Sequence, residues 1–225
     1  MYRFLFSLTI AFIFLTSCSN DAYETGDSRY SYLRTDFVEV RTNSHSQLVS
    51  AITDDNITLL FSKIAKTSWA KTADSTYRAL LYYNIGDTTA MPITVEPISI
   101  GQVYVLHPQS LDKIAKNSSD PVGFQSAWLS KNNKYVNMSL TLKTGQVEDT
   151  KLQQRIGLAC DSIVERNGKK YYFYRFIHDQ GGVPQYYSQT IYISIPLKGV
   201  NEGDALYVKV NSYDGVLTKC FMPKP

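Results

Sequence analysis

The sequence predicts an all-β protein, in which a small closed or partly open barrel is followed by an antiparallel β-sandwich. Short segments rich in Val, Ile, Thr and aromatic residues recur along the chain, and 17 tyrosines are present. Such residues favour strands, and turn-forming residues separate the segments. The one helix-compatible stretch, residues 61–71, has only weak periodicity. A change of composition at residues 108–123, with two prolines, divides the strands into two groups.

The N-terminus predicts export and a lipid anchor. Arg3 precedes a nearly unbroken apolar run, residues 4–15, which is too short to span a bilayer of roughly 30 Å. The tetrapeptide Leu15-Thr16-Ser17-Cys18 resembles the bacterial lipobox, in which the signal is removed and the cysteine sulfur receives a diacylglycerol. We therefore predict a signal peptide over 1–17 and lipid attachment at Cys18. The alternative is an ordinary secretory signal with a chance cysteine.

Residues 18–30 are polar and predict a flexible tether between the membrane and the folded part. An acidic stretch after a lipidated cysteine resembles the surface-export signal of Bacteroidetes lipoproteins, and the early acid here is Asp21. The predicted location is the cell envelope, at the periplasmic or the surface face of the outer membrane. The predicted partner is the membrane, through the lipid.

Residues 31–108 predict the barrel domain. Its strands are expected near residues 37–40, 48–52, 57–61, 77–84, 94–98 and 102–106, with Gly101 between the last two. Asp54 and Asp55 predict a tight turn, because short polar side chains tolerate left-handed backbone. Adjacent carboxylates in a strand would point to opposite faces, so a turn suits them better than a catalytic pair.

We predict a linker at residues 109–126, with a helical turn at 110–116. We predict the sandwich domain at residues 127–225. Its strands are expected near residues 135–142, 155–163, 171–178, 187–196, 204–210 and 216–221. In the cleanest alternation, Ile191, Ile193 and Ile195 share the core face.

Two cysteines remain for the folded part, Cys160 and Cys220. Export through an oxidising compartment permits a disulfide between them. Closing a loop of about 60 residues would stabilise the fold by roughly 4 kcal/mol. The alternative is two buried free thiols in strands.

The motifs of common enzyme classes are missing from the sequence. His45, His107 and His178 lie in separate segments, and there is no His-Glu-x-x-His, Cys-x-x-Cys, phosphate-binding loop or Gly-x-Ser-x-Gly motif. No metal site and no cofactor are therefore expected. The formal net charge of +3 is spread along the chain, without the clustered Lys/Arg stripe of nucleic-acid binding.

An aromatic stretch, residues 171–176, offers a candidate binding surface with Tyr186 and Tyr187 across the hairpin. Exposed aromatic faces stack on sugar rings, and Tyr172, Tyr174 and Tyr186 are the candidates that face a ligand. The alternative is that these residues are strand formers that pair across the sheet, about half of them facing the core.

Three motifs in this order resemble the NigD-like lipoproteins of Bacteroidetes. They are Asp54-Asp55-Asn56-Ile57-Thr58-Leu59, Gly101-Gln102-Val103-Tyr104-Val105, and Trp128 followed by Tyr135-Val136-Asn137. This chain departs from the family at 131–134, where Lys-Asn-Asn-Lys replaces a glycine-rich turn. The resemblance implies an N-terminal OB-like barrel and a C-terminal immunoglobulin-like sandwich. It carries over no active-site residues.

The sequence therefore favours a membrane-anchored, non-enzymatic envelope protein, which is a binding or accessory module. It does not name the ligand, and a glycan and a protein are both candidates. One alternative is an envelope hydrolase of glycans or peptides, with carboxylates on separate strands. Another is a role in bacteriocin production or immunity, which rests on the family name alone.

Overall fold

The computed structural model describes residues 33–85, 91–114, 118–147 and 152–224. The predicted signal peptide 1–17, the lipid site Cys18 and the tether 18–30 lie outside the described residues. Residues from Leu33 onward form one compact unit. Its strands are β1 Leu33–Thr42, β2 Leu48–Thr53, β3 Thr58–Ala65, β4 Thr76–Ile85, β5 Ile93–Gln102, β6 Tyr104–Val105, β7 Gln109–Ser110, β8 Gly123–Leu129, β9 Tyr135–Thr144, β10 Arg155–Arg166, β11 Lys169–Asp179, β12 Tyr187–Pro196, β13 Ala205–Ser212 and β14 Gly215–Phe221.

The first five strands form a closed barrel in the order β1-β2-β3-β5-β4. The pair β3–β5 is parallel, and β1 closes the barrel by antiparallel pairing with β4. Alternate residues point inward, so that Val38 and Val40 of β1 and Ala79 and Leu81 of β4 are fully buried. The predicted all-β barrel is confirmed.

The remaining strands form two packed sheets. One has the order β14-β13-β11-β10-β7 and the other the order β6-β12-β9-β8. Ile193 and Ile195 are fully buried between the sheets and Ile191 packs against the same core, as their alternation predicts. Burying each such side chain stabilises the fold by about 2 kcal/mol. The predicted sandwich is confirmed.

Two short strands join the barrel to the sandwich, and they correct the predicted boundaries. β5 runs through Gly101 as one strand, and β6 then pairs in parallel with Ile193 and Ser194 of β12. β7 pairs in parallel with β10 in the other sheet. The predicted linker 109–126 therefore lies within the sandwich, because strands of two residues show no periodicity in a sequence.

Local elements follow the turn chemistry. A single 3-10 turn, Leu111–Lys113, lies inside the helical turn expected at 110–116. The weak helical stretch at 61–71 is instead the end of β3 followed by a loop. Asn56 and Asn133 have φ of 60° and 56°, so asparagine takes the left-handed position that glycine often fills.

Among the residues that the structure describes, there is no apolar helix of the length needed to cross a membrane.

Candidate functional site

The barrel packs on the outer face of the four-stranded sheet, and we call this contact the seam. On the barrel side, Phe37 and Glu39 of β1 lie opposite Leu80 and Arg78 of β4. These positions alternate with the inward residues of the barrel, so they point outward to the sandwich. On the sandwich side, Asn137 of β9 pairs directly with Ser194 of β12 and with Trp128 of β8.

Arg78 crosses the seam. Its side chain is 1% exposed, although it belongs to a strand of the barrel. Nε donates to Ser194 Oγ at 3.1 Å, and Nη2 donates to Asn137 Oδ1 at 3.1 Å. Both partners are fully buried, and both belong to the sandwich. A buried guanidinium requires such partners, since an unpaired buried charge is strongly destabilising.

Asp54 completes the network from the turn between β2 and β3. Its Oδ2 accepts from Arg78 Nη2 at 2.7 Å and from Asn137 Nδ2 at 2.9 Å. Ser194 Oγ donates to Asn137 Oδ1 at 2.7 Å. The side chains of Arg78, Asp54, Asn137 and Ser194 therefore form one connected hydrogen-bond network. The predicted turn at Asp54-Asp55 is present, and Asp54 also links the barrel to the sandwich.

Aromatic rings enclose the guanidinium. Arg78 Cζ lies 4.2 Å from the centre of the Tyr135 ring and 5.5 Å from that of Phe37. The Tyr135 hydroxyl donates to Glu39 Oε1 at 2.8 Å, and Lys134 Nζ donates to Glu39 Oε2 at 2.8 Å. Burial and the Glu39 carboxylate raise the pKa of Tyr135 to about 12. Burial raises the pKa of Glu39, but the hydrogen bonds from Lys134 and Tyr135 outweigh it and hold that pKa below its usual value.

The polar turn between β8 and β9 contributes two ion pairs to the seam. Lys131 Nζ lies 2.8 Å from Asp55 Oδ2, and Lys134 forms the contact with Glu39. Both lysines come from the Lys-Asn-Asn-Lys segment at residues 131–134. The Lys131 pair is solvent-exposed, so it adds little stability.

An acidic cleft of about 400 Å³ opens on one side of the seam. Its aromatic lining comes from both bodies, with Phe37 in edge contact with Trp128 at 5.2 Å and with Tyr192 at 5.7 Å between ring centres. Trp128 is 37% exposed. The charged residues lining this cleft are Asp36, Asp54, Asp55 and Lys131.

A basic cleft of about 480 Å³ opens on the other side. The charged residues that line it are Glu39, Arg78, Lys134 and Lys198, and His107 and Tyr135 also contribute. The Arg78–Asp54 ion pair therefore lies between a cleft with excess carboxylates and a cleft with excess cations.

Each carboxylate of the acidic cleft has one oxygen bound by a neighbouring side chain, and Asp54 Oδ1 is buried without a hydrogen-bond partner among the described residues. Asp54 binds Arg78, Asp55 binds Lys131, and Asp36 Oδ2 accepts from the Tyr83 hydroxyl at 2.7 Å. General acid–base catalysis needs a carboxyl group that is free to exchange its proton with a substrate. Within the described part of the chain, no group of three His, Cys, Asp or Glu side chains is placed to hold a metal ion.

The sequence comparisons decide the family. A model of the NigD-like C-terminal β-sandwich domain matches residues 103–221, which is more than half of the chain. The chain belongs to the NigD-like family. The matched region starts immediately before β6, where the sandwich begins. No curated protein matches the chain significantly.

Solved structures similar to this NigD-like chain share its two-body fold. A NigD-like immunity protein from Bacteroides caccae ATCC 43185 is 24% identical with a TM-score of 0.66, over 85% of this chain and 97% of its own. A protein from Parabacteroides distasonis ATCC 8503, named as a candidate toxin-related protein, is 16% identical with a TM-score of 0.61, over 85% and 93%. A protein from Bacteroides fragilis NCTC 9343, named as a candidate lipoprotein, is 10% identical with a TM-score of 0.54, over 86% and 98%.

The predicted ligand-facing tyrosines do not form a common surface in this NigD-like chain. Tyr172 and Tyr174 are each only 7% exposed and belong to the sandwich core, so their prediction as ligand-facing residues is wrong. Tyr186 is 80% exposed, and it does not line either cleft of the seam. The outward residues of β11 are Tyr171 and Phe173. Every residue from 171 to 174 is aromatic, so the sequence did not distinguish the two faces.

The predicted disulfide is also wrong, because Cys160 and Cys220 are both free. Cys160 lies on β10 and Cys220 on β14, and β11 and β13 separate these strands within one sheet. Three strand spacings of about 4.8 Å place the cysteines roughly 14 Å apart. A disulfide requires Cα atoms within about 7 Å. Cys160 is half-buried and Cys220 is exposed, so the alternative of two buried thiols holds only in part.

The seam residues were missed at the sequence level, although a signal was present. In β4, the residues of both faces next to Arg78 are apolar, and Ala79, Leu80 and Leu81 are all buried. A strand that is apolar on both faces indicates that something covers its outer side. A lone arginine in such a strand then indicates a partner across that contact.

Proposed function

We propose that this NigD-like chain is a non-enzymatic binding module of the bacterial cell envelope, anchored by a lipid on Cys18. Membership of the NigD-like family supports a role without catalysis. The lipobox and the name of the similar B. fragilis protein support the anchor. The two bodies are joined tightly at the seam, so the tether 18–30 would present them to a ligand as one rigid unit.

The observation that carries the proposal is the acidic cleft. Aromatic faces from both bodies and three carboxylates meet in one open space. The C–H faces of sugars stack on aromatic rings, and sugar hydroxyls donate to carboxylates. We therefore propose an envelope glycan as the ligand. In Asp36, Asp54 and Asp55 one carboxylate oxygen is already bound by Tyr83, Arg78 or Lys131, which counts against the alternative of a hydrolase.

Tryptophan fluorescence tests the ligand directly. The chain has two tryptophans, so Trp69→Phe leaves Trp128, in the cleft, as the reporter. Soluble peptidoglycan fragments and oligosaccharides released from the outer-membrane surface are titrated into this variant. We expect saturable quenching that is weakened about tenfold by Tyr192→Ala. Tyr186→Ala is the matched control, because its ring is exposed outside the cleft, and it should leave binding unchanged. No fluorescence change with either glycan would refute the ligand, and hydrolysis of a glycan that Asp36→Asn abolishes would favour an enzyme.

The anchor is tested by metabolic labelling with a radioactive fatty acid. Label should appear in the wild type and be lost in Cys18→Ser, which should leave the membrane fraction. Density-gradient separation of the two membranes and protease treatment of whole cells then test the outer-membrane location and its face. Cys18→Ser protein that stays in the membrane fraction would contradict the anchor.

A second candidate function is a role in bacteriocin immunity. It is favoured by the names of two similar structures, one an immunity protein and one related to a toxin. The test is deletion of the gene, followed by measurement of toxin production and of sensitivity to toxins of related strains. A rise in sensitivity that wild-type protein reverses and the Tyr192→Ala variant does not would place the toxin partner at the acidic cleft.

A further inference from the structure

Arg78 lines the basic cleft on the opposite side of the seam, and its side chain has one donor that the network leaves unused. This donor, Nη1, is buried without a hydrogen-bond partner among the described residues. Nε and Nη2 form one edge of the planar guanidinium, and that edge is filled by Ser194, Asn137 and Asp54. Nη1 lies off this edge and carries two N–H groups.

The surroundings of this donor favour an anion. Three cations line the cleft, namely Arg78, Lys134 and Lys198, against the one carboxylate of Glu39. Asp54 pairs with Arg78 through Nη2, and Glu39 pairs with Lys134, so neither carboxylate contacts Nη1 or Lys198 in these ion pairs. Lys198 and His107 are exposed at the rim. A buried guanidinium N–H that remains unbonded is costly, and an anionic oxygen is its strongest acceptor.

The fixed position of the Arg78 guanidinium would define the geometry of such a site. The guanidinium is fixed by its three hydrogen bonds and by the Tyr135 ring at 4.2 Å. A donor that is held in place before binding loses little conformational entropy when the ligand arrives. Lys134 is already paired with Glu39 and Lys198 is exposed at the rim, so the lysines would contribute attraction and Arg78 would set the geometry of binding.

We propose that the basic cleft is a second binding site, which takes an anionic oxygen group at Arg78 Nη1 with Lys198 beside it. The group is a carboxylate, as at the end of a peptide, or a phosphate monoester. The site is separate from the acidic cleft, so this proposal stands whether or not that cleft binds a glycan.

The test uses the mature chain with Cys18→Ser, so that no lipid is attached. N-acetylglycine represents the carboxylate and inorganic phosphate represents the phosphate. Binding is followed by calorimetry and by the Nε–Hε resonance of Arg78 in a nitrogen–proton correlation spectrum, assigned by its loss in Arg78→Lys. We expect a saturable shift with at least one probe, at a dissociation constant in roughly the millimolar range. The probe that binds more tightly shows whether the site prefers a carboxylate or a phosphate.

Lys198→Gln should weaken binding about three- to fivefold, and Arg78→Lys at least tenfold. Lys66→Gln is the control, since Lys66 is an exposed lysine of the barrel outside the cleft, and it should bind as the wild type does. Thermal melting confirms that each variant is folded. If Arg78→Lys unfolds, the binding affinities of Lys198→Gln and Lys66→Gln are compared to test the proposal. Equal affinity of those two variants, or no shift of the Arg78 resonance with either probe, overturns the proposal and leaves Nη1 to water.

Discussion

Replacing Arg78 with alanine should destabilise the protein more than any surface change of equal size. The substitution removes three hydrogen bonds from a side chain that is 1% exposed, and it leaves the Asp54 carboxylate with Asn137 as its remaining partner in the network. Breaking a buried pair by deleting one member typically costs about 3–5 kcal/mol. The stability of a domain of this size is about 5–15 kcal/mol, so the loss should be a large share of the total.

Equilibrium unfolding in urea measures this loss. Arg41→Ala is the matched control, because Arg41 is an exposed arginine of β1, and it should change the unfolding free energy by less than about 0.5 kcal/mol. A double-mutant cycle with Asp54→Asn should give a coupling of about 1–3 kcal/mol, since the two side chains share the network.

A second readout is cooperativity. Because the seam joins barrel and sandwich, we expect one calorimetric transition for the wild type and two for Arg78→Ala. A loss below about 1 kcal/mol with a single unchanged transition would refute the conclusion that the Arg78 network holds the two bodies together.

Three further predictions test the rest of the fold. Burial holds the pKa of His178 below its usual value, so on acidification the unfolded chain takes up a proton before the folded chain does. The unfolding free energy should therefore be highest above about pH 6.5 and fall below that pH, by at most about 1.4 kcal/mol per pH unit. Urea titrations should show a flatter pH dependence in His178→Gln. Tyr174→Ala should cost about 3 kcal/mol of unfolding free energy and its neighbour Phe173→Ala about 1 kcal/mol, whereas equal losses would contradict the assignment of faces in β11. Cys220 should react with a thiol reagent much faster than Cys160, whose pKa burial raises, and mass spectrometry of Cys18→Ser protein without reductant should count two free thiols.

A strand such as β12 was predictable from the sequence because one of its faces packs on a core and the other does not. The isoleucines of β12 alternate with polar residues, which fixes both the strand and its inward side. Residues 171–174 carry no such contrast, so the strand was found and its orientation was not. Strands β6 and β7 have two residues each, which is too short for any periodicity. Their parallel pairing depends on partners far away in the chain.

The candidate site was predictable only in part. The Asp54 turn follows from local chemistry, but its partners Arg78 and Asn137 are 24 and 83 residues distant, and Ser194, which binds both of them, lies still further along the chain. Only the docking of two bodies brings them together, and no local pattern encodes that docking. The disulfide prediction failed for a related reason. Two cysteines in strands can pair only if the fold brings their Cα atoms within about 7 Å, and neither strand order nor sheet packing is visible in cysteine spacing.

The two short strands that follow the barrel have a consequence for the independence of the sandwich. Without β6 and β7, β12 and β10 would become open sheet edges, and open edges pair with those of other chains. A fragment that starts at residue 103 keeps both protective strands, whereas one that starts at residue 127 loses them together with half of β8. The first fragment should remain monomeric and the second should aggregate. The segment that leads out of the barrel therefore also shields the sandwich from self-association. The pairing of β6 with β12 can form only after about 90 further residues have been synthesised.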